Sequence, residues 1–240
     1  GVITAQTRIL AAAKARDIHR SSLELFERIL GPTRTSLAWK KARLIFCTPA
    51  DRPRQANPYP TVWTLENHPY RISNHANVFS RASLDIGARF FLTHLPVHLQ
   101  GQVADLGCGN GVLGLHVLAS SPEADVWFVD ESHMALASSA QNVRDNRPEE
   151  MARCHFHLGN SLEGLPDDSL DTVLCNPPFH QLQTIADELA WQMFRDAQRC
   201  LKHGGSLWMV GNRHLGYHIK LKRLFGKVDC LASNQKFVIL

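Results

Sequence analysis

The sequence predicts an α/β protein with a mostly parallel sheet, preceded by a smaller βαβ-like segment. Three observations carry this. From Gln102 onward, short apolar runs alternate with helical patterns, as strands and crossover helices do in a parallel sheet. Between the first of those runs and its helix lies Asp105-Leu106-Gly107-Cys108-Gly109-Asn110-Gly111, where glycines let the backbone turn tightly and let a ligand lie against bare peptide. Further on, Asp171-Thr172-Val173-Leu174-Cys175 runs into Asn176-Pro177-Pro178-Phe179, and proline has no N–H to continue a central ladder.

In chain order, Arg8 to Ala13 reads as a strand. Asp17 to Leu30 reads as an amphipathic helix with Ile18, Leu25 and Ile29 inward and Gly31-Pro32 as its stop. Leu37 to Cys47 alternates loosely and reads as a strand leading out. A piece of about 50 residues is too small to own a good core. Residues 1–48 therefore read as the tail of a larger domain whose start is missing, and the opening Gly-Val-Ile fits a trimmed product. Four prolines between Pro49 and Pro60 mark the linker, 49–60, and residues 61–240 form the second domain. There Trp63 to Ile72 is strand material, and a helix spans about Asp85 to His94 with Ile86, Phe90 and Phe91 as its apolar stripe. Strands follow at Val103–Leu106, Asp125–Asp130, Cys154–Leu158, Leu170–Cys175 and Ser206–Val210. Helices begin at Val112 and after Ser132, a fitting N-cap, and another runs from Asp187 to His203, closed by Gly204-Gly205. A helix over His218–Phe225 precedes two close strands, Val228–Ala232 and Phe237–Leu240, which suggest an antiparallel hairpin at the sheet edge.

Composition narrows the class. With 44% hydrophobic and 20% charged residues the chain reads as soluble and globular, and no run approaches a membrane span. Six scattered Cys without CxxC pairs look like reduced thiols, so a cytoplasmic location is expected. Charge is uneven. Through Gln55 there are 11 Lys/Arg against 4 acids, a net +7, and beyond it 15 against 18, a net −3. A basic piece beside a mildly acidic one suits docking of a polyanion by the first and chemistry in the second; a merely solvated basic face is the competing reading.

Asn176-Pro177-Pro178-Phe179 gathers an amide, a rigid carbonyl and an aromatic face at the carboxyl end of a strand, where open α/β sheets bind ligands. The Asn176 oxygen and the Pro177 carbonyl can each accept one hydrogen of a planar substrate's –NH2 group, and Phe179 can stack on its ring. For the glycine loop two readings compete. Gly109-x-Gly111-x-x-Gly114 with Asp130 about 20 residues on fits the dinucleotide fingerprint. Asp105, however, would oppose a pyrophosphate and attract an ammonium or a sulfonium, which favours S-adenosylmethionine over NAD.

On these residues the sequence resembles the Rossmann-like class I S-adenosylmethionine-dependent methyltransferases that modify exocyclic amino groups. Asn77-Val78-Phe79-Ser80-Arg81, Leu84-Asp85-Ile86-Gly87, Phe128-Val129-Asp130-Glu131-Ser132, Cys175 through Gln181 and Asn212-Arg213-His214-Leu215 resemble more closely the branch that methylates guanine N2 in large-subunit (23S) ribosomal RNA. Ala13 to His19 and Leu37 to Leu44 are similar to the end of that branch's amino-terminal domain, a methyltransferase-like fold lacking the cofactor motif. The resemblance implies a mostly parallel seven-stranded sheet with an antiparallel edge hairpin, S-adenosylmethionine as cofactor, ribosomal RNA as partner, and a monomer without metal. It implies that Asp105, Gly107, Gly109 and Gly111 line the methionine moiety, that Asp130 accepts the ribose hydroxyls, that Asn160 lies beside adenine and that Phe79 closes the pocket from above. Asn176, Pro177 and Phe179 are the expected catalytic residues. A small-subunit guanine-N2 methyltransferase, a protein glutamine methyltransferase and a non-enzymatic RNA-binding module stand as alternatives. His155-x-His157 has no third ligand at zinc spacing, and neither Cys108 nor Cys175 has a paired base, so core or surface histidines and buried thiols are expected.

Overall fold

The structure is a computed structural model that describes residues 4, 6–50, 56–178 and 183–240, with side chains of 183–186 left aside. The chain divides into two compact units, Gly1–Pro58 and Tyr59–Leu240. The expected linker spans that division, and its residues 51–55 lie outside the described ones.

The first unit holds β1 (Ile9–Lys14), a 3-10 turn at Ala15–Asp17, α1 (Arg20–Ile29), β2 (Thr33–Thr35) and β3 (Ala42–Cys47). It is not βαβ-like. Its strands run in the order β1-β3-β2 with β3 antiparallel to both neighbours. The single strand expected from Leu37 to Cys47 is instead the end of a hairpin whose other arm, β2, carries no apolar signal (Thr33-Arg34-Thr35). Trp39 and Ala42 exchange both backbone hydrogen bonds at 2.9 Å across a two-residue turn. In that turn Lys40 and Lys41 have φ of 45° and 66°. Such left-handed positions cost a residue with a β-carbon roughly 1–2 kcal/mol each. Helix α1 also turns a different face than expected. Leu25 and Ile29 are exposed, at 45% and 51%, while Leu23, Phe26 and Leu30 are half-buried. Its inward stripe is therefore one residue out of phase with the predicted one.

The second unit opens with a separate hairpin, β4 (Thr61–Thr64) and β5 (Arg71–Asn74), where one strand was expected over Trp63–Ile72. Asn67, with φ of 62°, makes the turn that divides them. Helix α2 (Ile86–Leu92) follows, N-capped by Asp85, whose Oδ2 accepts the Ala88 N–H at 2.9 Å. Ile86 is exposed rather than inward, and Gly87, Ala88 and Phe91 form the buried face.

Then comes the alternation: β6 (Gln100–Leu106), α3 (Val112–Ser120), β7 (Glu123–Asp130), α4 (His133–Asn146), a 3-10 segment Pro148–Arg153, β8 (Cys154–Leu158), β9 (Leu170–Cys175), α5 (Gln183–Cys200), β10 (Leu201–Asn212), α6 (Tyr217–Phe225), β11 (Ala232–Ser233) and β12 (Phe237–Ile239). Ser132 caps α4 as expected, its Oγ accepting the Ala135 N–H at 3.3 Å. Helix α5 ends at Cys200, earlier than predicted. Gly204-Gly205 belong to an irregular start of β10, where the register with β9 shifts between Leu201 and Ser206.

The sheet is seven-stranded, in the order β11-β12-β10-β9-β6-β7-β8, and parallel except for β12, which is antiparallel to β10 and β11. One core lies under α2, α3 and α4, with Phe91, Leu115, Leu118 and Phe128; the other lies under α5 and α6, with Ala190, Phe194, Tyr217 and Leu221. With both faces covered, the central strands are apolar throughout, which is why they read as continuous runs rather than alternations. From β6 the chain winds outward to β8, then returns to β9 on the other side of β6. The crevice at the carboxyl ends of β6 and β9 is the place where such a sheet binds its ligand.

The connectivity of the first unit repeats at this far edge. β1-α1-β2-β3 with β3 between β1 and β2 has the same arrangement as β10-α6-β11-β12 with β12 between β10 and β11. Among the described residues no helix is long and apolar enough to cross a membrane.

Candidate functional site

A cavity of about 410 Å³ opens at that crevice, within the range of small-ligand sites. The glycine loop forms its floor through Gly107, Gly109 and neighbours, the β7 end contributes Asp130, and the β9 end contributes Asn176 and Pro177. Phe79 stands on the rim, 53% exposed, and Asn160 lines the side below β8. Phe179 lies outside the described residues.

Seven of the ten expected site residues thus meet around one cavity, but Asp105 and Gly111 stand behind its wall. Asp105 is fully buried, and its Oδ2 accepts the Gly114 N–H at 2.9 Å in the first turn of α3. Its Oδ1 has no hydrogen-bond partner among the described residues. Burial raises its pKa to about 7 despite the Gly114 N–H, and the Asp130 charge adds to the rise. Asp105 is thus bonded to the start of α3 and does not line the cavity. Gly111, with φ of 78°, sits where a Cβ would be 2.8 Å from Ser139 Oγ and 3.1 Å from the Phe128 ring. Its place is one of packing.

Asp130 does two things at once. Its Oδ2 accepts the Gly109 N–H and its Oδ1 the Ser132 N–H, both at 2.9 Å. A carboxylate has about four lone-pair sites, so two such bonds leave capacity for a pair of ligand hydroxyls. Gly109 itself, with φ of 55°, has nothing within 4 Å of the position a Cβ would take. Asn176 Oδ1 is buried without a partner among the described residues, and Gly87 opposite it has no side chain to fill the gap. A desolvated acceptor of that kind is what an incoming N–H donor requires.

Neither thiol beside the site is held as a thiolate. Burial pushes Cys108 and Cys175 well above the ordinary thiol range, and the nearby Asp105 charge raises both further. His155 stacks on Trp127 at 4.4 Å, and His157 Nε2 lies 2.7 Å from the Glu163 carbonyl, so both have packing or local partners.

Sequence reasoning missed the groups that hold the roof in place. Ser138, Asn142 and Asn146 lie four residues apart on one face of α4 and bond the exposed edge of β5. Ser138 Oγ accepts the His75 N–H. Asn142 accepts from Ser73 N and donates to Ser73 O, and Asn146 does the same for Arg71. Four helical residues rise about 6.0 Å, and two strand residues span about 6.6–6.8 Å. The helix can therefore serve as a substitute strand. The second Asn142 N–H goes to the Asn110 carbonyl, and Asn110 Nδ2 donates to Asn74 Oδ1, at 2.9 Å each. Strand β5, which leads into the roof residues Asn77–Ser80, is thereby tied directly to the glycine loop.

Two outcomes follow from this geometry. Replacing Asn142 by Leu leaves Ser73 N, Ser73 O and Asn110 O without their partners, and each orphaned buried group costs about 1–3 kcal/mol. Urea unfolding should show a loss of at least ~3 kcal/mol in total; a midpoint equal to the parent's would mean these groups find other partners. Asp105 gives the second. Between the ordinary carboxylate value of 3.8 and about 7 the folded chain holds a proton that the unfolded chain has released. Stability from this group is therefore fully present below the lower value and falls as pH rises through about 7. Urea midpoints at pH 5 and pH 8 should differ more in the parent than in Asp105→Asn, and equal differences would contradict the protonated carboxyl.

Comparison with known proteins agrees with the architecture. A family model described as methyltransferase small domain matches residues 69–240, and one described as RLMG N-terminal domain matches residues 1–51. Curated proteins named ribosomal RNA large subunit methyltransferase G are 62% identical over 243 residues in Aeromonas hydrophila and 60% identical over 240 residues in Klebsiella pneumoniae. Both alignments take in the whole chain, which spans 64% of the length of each relative. Among solved structures, the T. thermophilus 16S rRNA N2 G1207 methyltransferase, in complex with AdoMet and guanosine, is similar with a TM-score of 0.78 at 21% identity, over 97% of this chain and 63% of that one. Precorrin-6y C5,15-methyltransferase from Geobacter metallireducens gives 0.51 at 14% identity, over 75% and 96%. These two are likenesses of fold. With a family model matching residues 69–240, which take in the whole seven-stranded sheet, the chain belongs to the methyltransferase small domain family.

Proposed function

We propose that the protein transfers a methyl group from S-adenosylmethionine to the exocyclic 2-amino group of a guanine in large-subunit (23S) ribosomal RNA, as a cytoplasmic monomer. The observation that carries the reading is the buried Asn176 Oδ1 beside the glycine-loop cavity, without a partner among the described residues. The curated relatives' name favours the large subunit over the other substrates considered.

The cavity suits that cofactor chemically. Asp130 is offered to ribose hydroxyls, the open face of Gly109 to the ligand body and Asn160 to the adenine edge. The Asp130 carboxylate gives the loop a negative field that favours a cation and disfavours a pyrophosphate. When bound, S-adenosylmethionine supplies an electrophilic methyl group on a sulfonium. Asn176 Oδ1 and the Pro177 carbonyl accept the two amino hydrogens of the guanine. Held this way, the nitrogen pyramidalises and its lone pair turns out of the ring toward the methyl group. The same acceptor dipoles stabilise the positive charge that gathers on nitrogen as the new bond forms. The methylated nitrogen then sheds its proton readily, so no general base of tuned pKa is required. A guanine in folded RNA has to leave its stack to reach this position, where Phe179 is its expected stacking partner.

The first unit, with its +7 charge and its repeat of the far-edge topology, is read as the end of an RNA-docking domain related to the methyltransferase fold. Residues 1–48, 49–60 and 61–240 are its tail, the linker and the catalytic domain.

Asp130→Ala should weaken S-adenosylhomocysteine binding at least about tenfold in calorimetry, since hydrogen bonds to a charged group contribute about 1.5–3 kcal/mol. Unchanged affinity in a folded variant would remove Asp130 from the site. Asn176→Ala should keep cofactor affinity and slow methyl transfer by about 10²–10³, by analogy with loss of one preorganised donor in an oxyanion hole. Near-normal turnover on saturating rRNA would contradict its role. Mass mapping of rRNA from cells lacking the gene should reveal one guanine without its N2 methyl group.

A further inference from the structure

The turn between β2 and β3 is built against its own local preference. A two-residue hairpin turn with positive φ at both positions normally takes Asn-Gly or a similar pair, because a β-carbon is strained there. Here both positions are lysine, at 45° and 66°. Strain of this kind in a residue that gains nothing sterically points to a function for the side chain.

The surroundings say which function. Trp39, just before the turn, is 74% exposed, and Leu37 is 91% exposed. The Lys40 ammonium lies 4.8 Å from the centre of the Trp39 ring, which keeps cation and indole at one spot. From residue 28 to residue 50 the chain has Arg28, Arg34, Lys40, Lys41 and Arg43 and no acid. Among the described residues, Lys40, Lys41 and Arg43 form no ion pair within 4 Å. An exposed aromatic ring with unneutralised cations beside it is the combination that holds single-stranded nucleic acid, the base stacking on the ring and phosphates meeting the cations.

We propose that the Trp39-Lys40-Lys41 hairpin tip, with Arg43 beside it, is a docking point for single-stranded RNA. The inference rests on the reading above that the substrate is RNA, and it adds which residues of the first unit grip it. A duplex is a poorer ligand for the tip, because its base faces are already stacked.

The test compares the parent chain, Trp39→Ala and the double variant Lys40→Asn/Lys41→Gly. The double variant removes two charges and supplies the residues the turn prefers, so it should unfold at an equal or higher urea concentration. The probe is a labelled mixed-sequence RNA of about 20 nucleotides, enough for a full single-strand site, alone and annealed to its complement. Filter binding runs between about 50 and 200 mM salt. The double variant should bind the single strand about tenfold more weakly at the low-salt end. Its log–log salt slope should be shallower by about 1.4, at roughly 0.7 for each phosphate no longer neutralised. Trp39→Ala should weaken single-strand binding with the slope kept. Unchanged affinity and slope in both variants overturn the proposal, as does equal binding of the duplex or no binding by the parent. A lowered urea midpoint or a changed oligomeric state in Trp39→Ala also overturns it, since the indole would then be packed against protein. Calorimetry with S-adenosylhomocysteine on the same samples reports separately on the methyltransferase reading.

Discussion

Helix α3 lies so close to β7 that Gly114 has no room for a side chain: a Cβ there would stand 2.2 Å from the Phe128 ring, itself fully buried. Much of the site depends on this contact. It draws the start of α3 down onto the sheet, so the chain leaving β6 must reverse within Gly107–Gly111. Three glycines at positive φ accomplish that reversal, and the amide of Gly109 is left pointing at the end of β7. Asp130 receives it there. A loop that could be mobile is thus pinned by packing below and by a carboxylate at its side.

The same closeness explains Asp105. With α3 resting on the sheet, the acid ending β6 is sealed beneath the first turn of the helix and bonds the Gly114 amide. An acid in that place holds its proton up to about pH 7, and it bonds the start of the helix rather than lining the cavity. This argues against the dinucleotide reading of the glycine spacing more firmly than the spacing itself can. A phosphate at the start of α3 would find a buried acid where it needs donors.

The roof is held by a different principle. Hairpin β4–β5 stands apart from the seven-stranded sheet, and a two-stranded hairpin is marginal alone. The amide and hydroxyl side chains of α4 satisfy its exposed edge, and Asn142 and Asn110 carry the connection to the glycine loop. Floor and roof of the cavity therefore share one polar network, in which an amide is needed because it donates and accepts at once.

The sequence by itself determined the order of strands and helices from β6 onward, the edge hairpin, the glycine turn and the proline stop after Cys175. Each is a local matter: apolar periodicity, a residue able to take positive φ, a residue lacking an N–H. What it could not determine was which neighbour each face would meet. The inward face of α1, the exposure of Ile86 and the splitting of Trp63–Ile72 into a hairpin depend on the surfaces packed against them. Asp105 looked like a ligand because its position in the motif is local, while its burial comes from α3 closing over it. Ser138, Asn142 and Asn146 show a four-residue spacing in the sequence, yet their partners lie more than sixty residues away. Only the tertiary structure brings the two together, because a hydrogen bond is specified by geometry in space and not by the residue type that makes it.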